Sequence, residues 1–331
     1  MKHTSNSRCA LLVTGGTIVS KVDKATGLAM PVMSGEELLE TLKSLTDVSS
    51  IEIHDIARVA SPHIEPAHWI ALHDSIQGLI ARDDIAGIVI SHGTSTLEET
   101  AWFLDLTIQT DKPIVVIGAQ RNASAFDFDG PRNLLDALMI CRTDTARGMG
   151  VLVALNGHIN AAREATKTHT VDVETFQSGE WGYLGSIVND RVTFHSTPMR
   201  RLHVPLVSRT LPPVEIISMY AGATGALVKA AADLGAQGVV VQAVASGHVN
   251  ASMFEAIRHT LDRTIAVVIA TRIPRGGTRA GYGFSGSSQL LVEAGAVLSN
   301  DLSAWKARIL LMLALQNASL NSRELAVLFD K

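Results

Sequence analysis

Seven near-continuous apolar runs, separated by amphipathic helical patterns, constrain the fold of this chain more than any other feature. The runs are ALLVTG, IAGIVISHG, KPIVVIGA, GVLVALNG, VEIISMY, GVVVQAV and IAVVIATR. Between them lie SGEELLETLKSL, PAHWIALHDSIQGLIA, TLEETAWFLDLTI, GPRNLLDALMICR, GALVKAAADLGA and NASMFEAIRHTL. A strand that is apolar along its whole length must be covered on both faces, and helices crossing over between parallel strands do this. The pattern predicts an α/β protein whose strands form mostly parallel sheets.

The rhythm breaks in VNDRVTFHSTPMRRLHVPLVSRTLPPVE, which begins strand-like and then becomes basic, proline-bearing and aperiodic. Pro198, Pro205, Pro212 and Pro213 are incompatible with the interior of a helix or central strand. The expected organisation is a larger N-terminal α/β domain over 1–197 with a doubly wound sheet, a linker over 198–213, and a smaller C-terminal parallel-sheet domain over 214–331. A chain of 331 residues fits two such domains.

Composition narrows the function classes. The formal net charge of −4 lacks the electropositive footprint of a protein that grips a phosphate backbone, so no nucleic-acid partner is expected. No apolar run is long enough to cross a bilayer, and ILLMLALQN reads as a buried helix. The opening MKHTSNSR leads into a strand rather than a signal-peptide apolar segment, so the expectation is a soluble, cytoplasmic protein without a membrane partner. Cys9 and Cys141 sit in apolar surroundings with no ligand spacing and read as small buried hydrophobes.

In open parallel sheets the functional crevice lies beyond the carboxyl ends of the strands. Distinctive residues follow three of the apolar runs: Gly15, Gly16 and Thr17; Gly93, Thr94, Ser95 and Thr96; and Lys167 between Thr166 and Thr168. The first invites a phosphate-loop reading, but neither a third glycine inside a helix nor a Gly-Lys-Ser/Thr opening is present. The segment after Thr17, IVSKVDKATGLAMPVMSG, is not helical before about Gly35. No nucleotide cofactor is expected. In SHGTSTLEET, Ser95 with Glu98 or Thr96 with Glu99 fits the spacing of a helix-capping box, leaving Thr94 directed at the crevice. A threonine hydroxyl becomes a competent nucleophile when a neighbouring base takes its proton, and a desolvated neutral lysine can serve. Two threonines and a lysine converging at one sheet edge are the residue types that a nucleophile and its proton relay would need.

The stretches LLVTGGTIVS, VISHGTSTLEETAWFLDLTI, KPIVVIGAQRNASAFDFDGPRNLLDAL and GVLVALNGHINAAREATKTHTVDVETFQSGEWGYLG resemble the bacterial-type L-asparaginase and glutaminase family. The resemblance covers most of the first domain in order, and the second mainly in length and pattern. It implies a cofactor-independent amidohydrolase of two α/β domains, assembled as a homotetramer from two intimate dimers. It assigns Thr17 as the nucleophile that forms an acyl-enzyme, Thr94 and Lys167 as the relay, Ser61 as a ligand of the substrate α-carboxylate, and the backbone around Gly16 and Gly93 to the substrate pocket.

Departures from the family pattern point to a shifted substrate. Ser95 stands where the family has an aspartate that pairs with the lysine and binds the substrate α-ammonium, and Pro62 stands where glutamine is frequent. Ser246 and the neutral GYGFSGSSQ, which includes Tyr282, take the place of an asparagine and an acidic residue in the second domain. An ammonium buried without a carboxylate costs on the order of 3–5 kcal/mol, or about two to four powers of ten in specificity. The expected substrate is thus an amide, or an ester, lactam or imide, without a free α-amino group. The alternatives are a genuine L-asparaginase or glutaminase with weakened amino-group recognition, and a non-catalytic small-molecule-binding homologue. The family's lid tyrosine is also missing after Thr17, so Tyr282 is a candidate to replace it, and Leu28, Met30 and Met33 either line an apolar wall or pack the lid. His92 reads as structural, His158, His169 and His248 lack metal or triad spacing, and no metal site is expected.

Overall fold

A computed structural model describes residues 8–44, 48–317 and 321–330, so the N-terminal residues 1–7, read above for a leader, lie outside it. The chain forms two compact units that meet between His203 and Val204, within the proline-bearing stretch.

The first unit holds strands β1 (Arg8–Gly15), β2 (Ser20–Val22), β3 (Ala29–Pro31), β4 (Ile51–Val59), β5 (Ile85–Ser91), β6 (Ile114–Ile117), β7 (Val151–Leu155), β8 (His158–Ala161), β9 (Thr166–Lys167), β10 (Phe176–Gln177), β11 (Gly185–Val188) and β12 (Arg191–Phe194). Its helices are α1 (Gly35–Glu40), α2 (Pro66–Ile80), α3 (Leu97–Thr107) and α4 (Gly130–Cys141). The main sheet runs β12-β11-β8-β7-β6-β5-β1-β4. From β4 to β7 the strands are parallel, as their apolar runs predict, and β5, β6 and β7 are buried along their full length.

After β1 the chain moves to β4 on one side of it, and after β5 to β6 on the other. The carboxyl ends of β1 and β5 therefore flank the point where the strand order reverses, the place where open α/β sheets form their crevice.

Two features depart from the sequence reading. The strand β4, IEIHDIARV, was not among the apolar runs because it alternates apolar and polar residues along the sheet edge. The far side of the sheet is antiparallel: β7 turns through Asn156 and Gly157, both at positive φ (52° and 74°), directly into β8, the expected chemistry of a two-residue hairpin. The strand-like opening of VNDRVTFH, within the expected first domain, forms β12, paired antiparallel with β11.

The segment after Thr17 is a hairpin of β2 and β3 whose turn is closed by Asp23 Oδ1, which accepts from the amides of Ala25 and Thr26. Helix α1 follows it, starting at Gly35 behind a capping box between Ser34 and Glu37. Met33 joins the core whereas Leu28 and Met30 are exposed, so these three residues do not form one wall. Cys9 and Cys141 are both free and buried, and the neighbouring Cys141 thiol and Arg142 bring the Cys9 pKa down to about 7.

The second unit contains a four-stranded parallel sheet ordered β13 (Val214–Ser218), β14 (Gly238–Ala243), β15 (Ala266–Thr271) and β16 (Val297–Leu298). Helices α5 (Ala226–Asp233), α6 (Ala251–Asp262), α7 (Ser288–Glu293), α8 (Ala304–Ala314) and α9 (Ser322–Phe329) accompany it. Its core is built from Val and Ile of the strands against Met253, Phe254 and Ile257 of α6.

Candidate active site

The turns after β1 and β5 touch through their glycines. Gly16 has φ +83°, and a Cβ built on it would lie 2.2 Å from the Gly93 Cα. A Cβ on Gly93 would in turn meet the Ser61 Cβ and Oγ at 2.7 Å. No side chain fits between these three backbone segments, which explains the small residues at both strand ends. Thr17 opens a single 3-10 turn (Thr17–Val19) beyond Gly16, and the Gly16 carbonyl accepts from the Ser20 hydroxyl at 2.9 Å.

Behind Gly93 the peptide is held by a buried chain of hydrogen bonds. His92 Nδ1 is 2.7 Å from the Gly93 carbonyl, which can only accept, so Nδ1 carries the proton. Nε2 then accepts from the Thr100 hydroxyl at 2.9 Å, and Thr100 Oγ1 accepts from Trp69 Nε1 at 3.0 Å. Complete burial pushes the His92 pKa down to about 4, so this histidine is neutral and structural, as its place in the motif suggests.

Thr94, itself buried, accepts a hydrogen bond from Lys167 Nζ at 2.7 Å and donates to Gln120 Oε1 at 2.9 Å. Lys167 Nζ also donates to Gln120 Oε1 at 2.9 Å, closing a triangle. The lysine does not sit at a parallel strand end: it is carried on β9, which pairs with β10 in a short hairpin. Its backbone amide donates to Glu98 Oε1 at 3.1 Å, tying β9 to the first turn of α3. Burial lowers the Lys167 pKa from the ordinary lysine value, with the Glu98 carboxylate opposing.

The expected capping boxes are absent. The Thr96 hydroxyl donates to the Ser61 carbonyl at 2.8 Å and Glu98 is engaged with Lys167, so both side chains leave the helix end for contacts across the crevice. Ser61 is buried in a short turn (Ser61–His63) and its Oγ accepts from the Ser95 amide at 3.1 Å. Pro62 and the Ser95 side chain are exposed beside it. The structure thus brings Gly16, Ser61, Gly93, Thr94, Ser95 and Lys167 to one region of the first unit, with Thr17 following Gly16.

In the second unit, Ser246 Oγ is 3.2 Å from His248 Nε2, while His248 Nδ1 accepts from the Ser288 amide. Tyr282 lies edge-on to that ring at 5.2 Å, at φ +64° and largely exposed. His158 stacks on Tyr183, and His169 Nδ1 accepts from the amides of Val171 and Asp172. Among the described residues no cluster of His, Cys, Asp or Glu could hold a metal.

Residues 8–200 match the family described as Asparaginase, N-terminal, and residues 213–329 match the Glutaminase/Asparaginase C-terminal domain. The chain belongs to the asparaginase family. Like its relatives it is a hydrolase of carbon–nitrogen bonds other than peptide bonds. It is 34% identical to an L-asparaginase of Bacillus licheniformis over 310 residues, covering 94% of this chain and 96% of that one. It is 35% identical to L-asparaginase 2 of Escherichia coli over 319 residues, covering 92% and 88% respectively. Its fold matches the crystal structure of a probable cytoplasmic L-asparaginase from Campylobacter jejuni with a TM-score of 0.89 and 33% identity, covering 98% of this chain and 99% of that one.

Gln120, which bonds both Thr94 and Lys167, is a residue that the sequence reading passed over. A signal was available: it follows β6, the parallel neighbour of β5, and the carboxyl end of that strand borders the same crevice.

Proposed function

We propose that this protein is a threonine-nucleophile amidohydrolase acting through an acyl-enzyme on an amide that lacks a free α-amino group. The observation that supports it most is the 2.7 Å contact between Lys167 Nζ and Thr94 Oγ1, at a sheet end whose neighbouring strand leads into Thr17. In this reading Thr17 Oγ bonds to the amide carbonyl carbon as its proton passes to Thr94 and the Thr94 proton to neutral Lys167. The relay returns a proton to the amide nitrogen, which leaves as ammonia when the C–N bond breaks. Water, deprotonated along the same path, then cleaves the acyl ester and restores Thr17. Backbone N–H groups at the Gly93–Thr94 turn are suited to receive the developing oxyanion.

Ser61 and Ser95 would orient the substrate. Ser95 offers a hydroxyl where an ammonium would need a carboxylate, which favours amino-free or N-blocked amides. The assembly proposed is a homotetramer and the compartment the cytoplasm, the latter in keeping with the name of the Campylobacter protein.

The names of the relatives favour a second reading, in which L-asparagine itself remains the substrate. Ammonia release from L-asparagine, D-asparagine, L-glutamine and succinamate, with Thr17→Ala as control, separates the two. Succinamate turned over well and asparagine poorly supports the altered specificity; a clear preference for asparagine refutes it. Full activity of Thr17→Ala would remove the nucleophile.

A further inference from the structure

Lys167 is anchored by an amide oxygen. Gln120 Oε1 accepts from both Lys167 Nζ and Thr94 Oγ1, each at 2.9 Å. The orientation of that amide is imposed from the other side, where Gln120 Nε2 donates to the carbonyls of Asp172 and Thr170 at 3.0 and 3.4 Å. A flipped amide would set its NH2 against the lysine and its oxygen against two carbonyls that can only accept, so the network admits one orientation. The backbone is fixed as well: the Gln120 and Arg121 amides donate to the two carboxylate oxygens of Asp129, at 3.0 and 2.8 Å.

We propose that Gln120 is a positioning residue for the Thr94–Lys167 pair, holding both groups through one uncharged acceptor so that the lysine is anchored without a negative charge that would keep it an ammonium. This rests on the reading of Lys167 as the terminal proton acceptor. An amide oxygen has two lone-pair directions, enough for the two donors it meets. A carboxylate at the same place would supply the same geometry with a charge added, and an opposite charge at hydrogen-bond distance favours the protonated amine.

The other ionisable groups around the lysine leave this role to Gln120. Glu98 of α3 accepts from the Lys167 backbone amide and is the carboxylate whose charge acts on Nζ. Asp129 is engaged with the Gln120 and Arg121 amides, Arg121 pairs with Asp127, Asp172 Oδ1 accepts from the Glu174 amide, and His169 Nδ1 accepts from two amides of its own loop.

Gln120→Glu and Gln120→Met test the inference through two readouts. One is the titration of Lys167 itself, followed as the pH dependence of its acylation by a small anhydride and read by mass spectrometry. The other is the acid limb of kcat/KM on the best amide substrate. Gln120→Glu keeps the shape and adds charge, so both profiles move to higher pH by about one unit or more, a loss of about ten-fold at a fixed pH on the limb. Gln120→Met removes the acceptor, so activity falls while neither profile moves up. A Gln120→Glu protein whose Lys167 titrates as in the wild type, or a fully active Gln120→Met protein, overturns the proposal. Absence of amide hydrolysis in the wild type would instead refute the proposed function, and the acylation profile would still decide whether Gln120 sets the charge of Lys167.

Discussion

Lys167 Nζ stands 2.7 Å from Thr94 Oγ1, and burial rather than a bonded carboxylate sets its protonation, the Glu98 charge opposing. Activity that requires the neutral amine rises with pH, and because burial lowers the lysine pKa, its limb lies below the range of a free lysine. Lys167→Met should lower kcat by about 10²–10⁴-fold. Lys167→Arg should not rescue it, since a guanidinium keeps its proton at any accessible pH. A pH–rate profile on the wild type with the two variants at one pH checks both statements; an active arginine variant would disprove the base role.

Gly16 carries two separable burdens. Its φ of +83° is left-handed, and a Cβ there would meet the backbone of Gly93 at 2.2 Å. Gly27 shares the positive φ (+71°) with open space around it. Gly27→Ala should cost about 1–2 kcal/mol, the conformational part alone. Gly16→Ala should cost more than about 3 kcal/mol and abolish activity in whatever protein folds, because β1 and β5 must part to admit the methyl. Denaturant melts of the two variants give the comparison, and equal costs would show that the contact between the two turns yields easily.

The parallel half of the first sheet was legible because buried strands between helices advertise themselves as continuous apolar runs, and Thr17, Thr94 and Ser95 followed from looking at where those runs end. The edge strand β4 was not, since four of its nine residues are polar; there Glu52 is satisfied by a two-pronged contact with Arg82 at 2.8 Å, which no local pattern announces. Thr96 and Glu98 show the same limit at the site. Each sits at capping-box spacing, Thr96 with Glu99 and Glu98 with Ser95, but long-range partners at Ser61 and Lys167 won the hydrogen bonds. Gln120 lay in plain view after β6, yet an uncharged amide draws no notice until the lysine it faces is known.

The buried histidine sets a measurable pH dependence of stability. His92 has its pKa depressed to about 4 from the ordinary histidine value of 6.5, so between those values the unfolded chain binds a proton that the folded protein refuses. The neutral-pH stability it contributes is complete above about pH 6.5 and is lost as pH falls toward 4, about 3 kcal/mol in all. Asp136, whose carboxyl is pushed up to about 6 by burial, acts with the opposite sign, so the quantity to read is the difference between wild type and His92→Gln. The glutamine variant should be less stable at pH 7, and the gap should shrink or reverse by pH 4.5 in denaturant titrations. A gap independent of pH would mean that His92 is not held neutral.

Ser95→Asp is the substitution that bears most directly on substrate choice. The serine side chain is exposed at the crevice while its amide is bound to Ser61 Oγ at 3.1 Å, so an aspartate can be accommodated without displacing the backbone. A carboxylate there supplies the partner that a substrate ammonium lacks, and the gain applies to asparagine but not to succinamate, which has no ammonium to pair. The ratio of kcat/KM for asparagine over succinamate should therefore rise by about two powers of ten or more. If the ratio stays put while both activities survive, amino-group recognition does not run through this position, and the missing aspartate says nothing about the substrate.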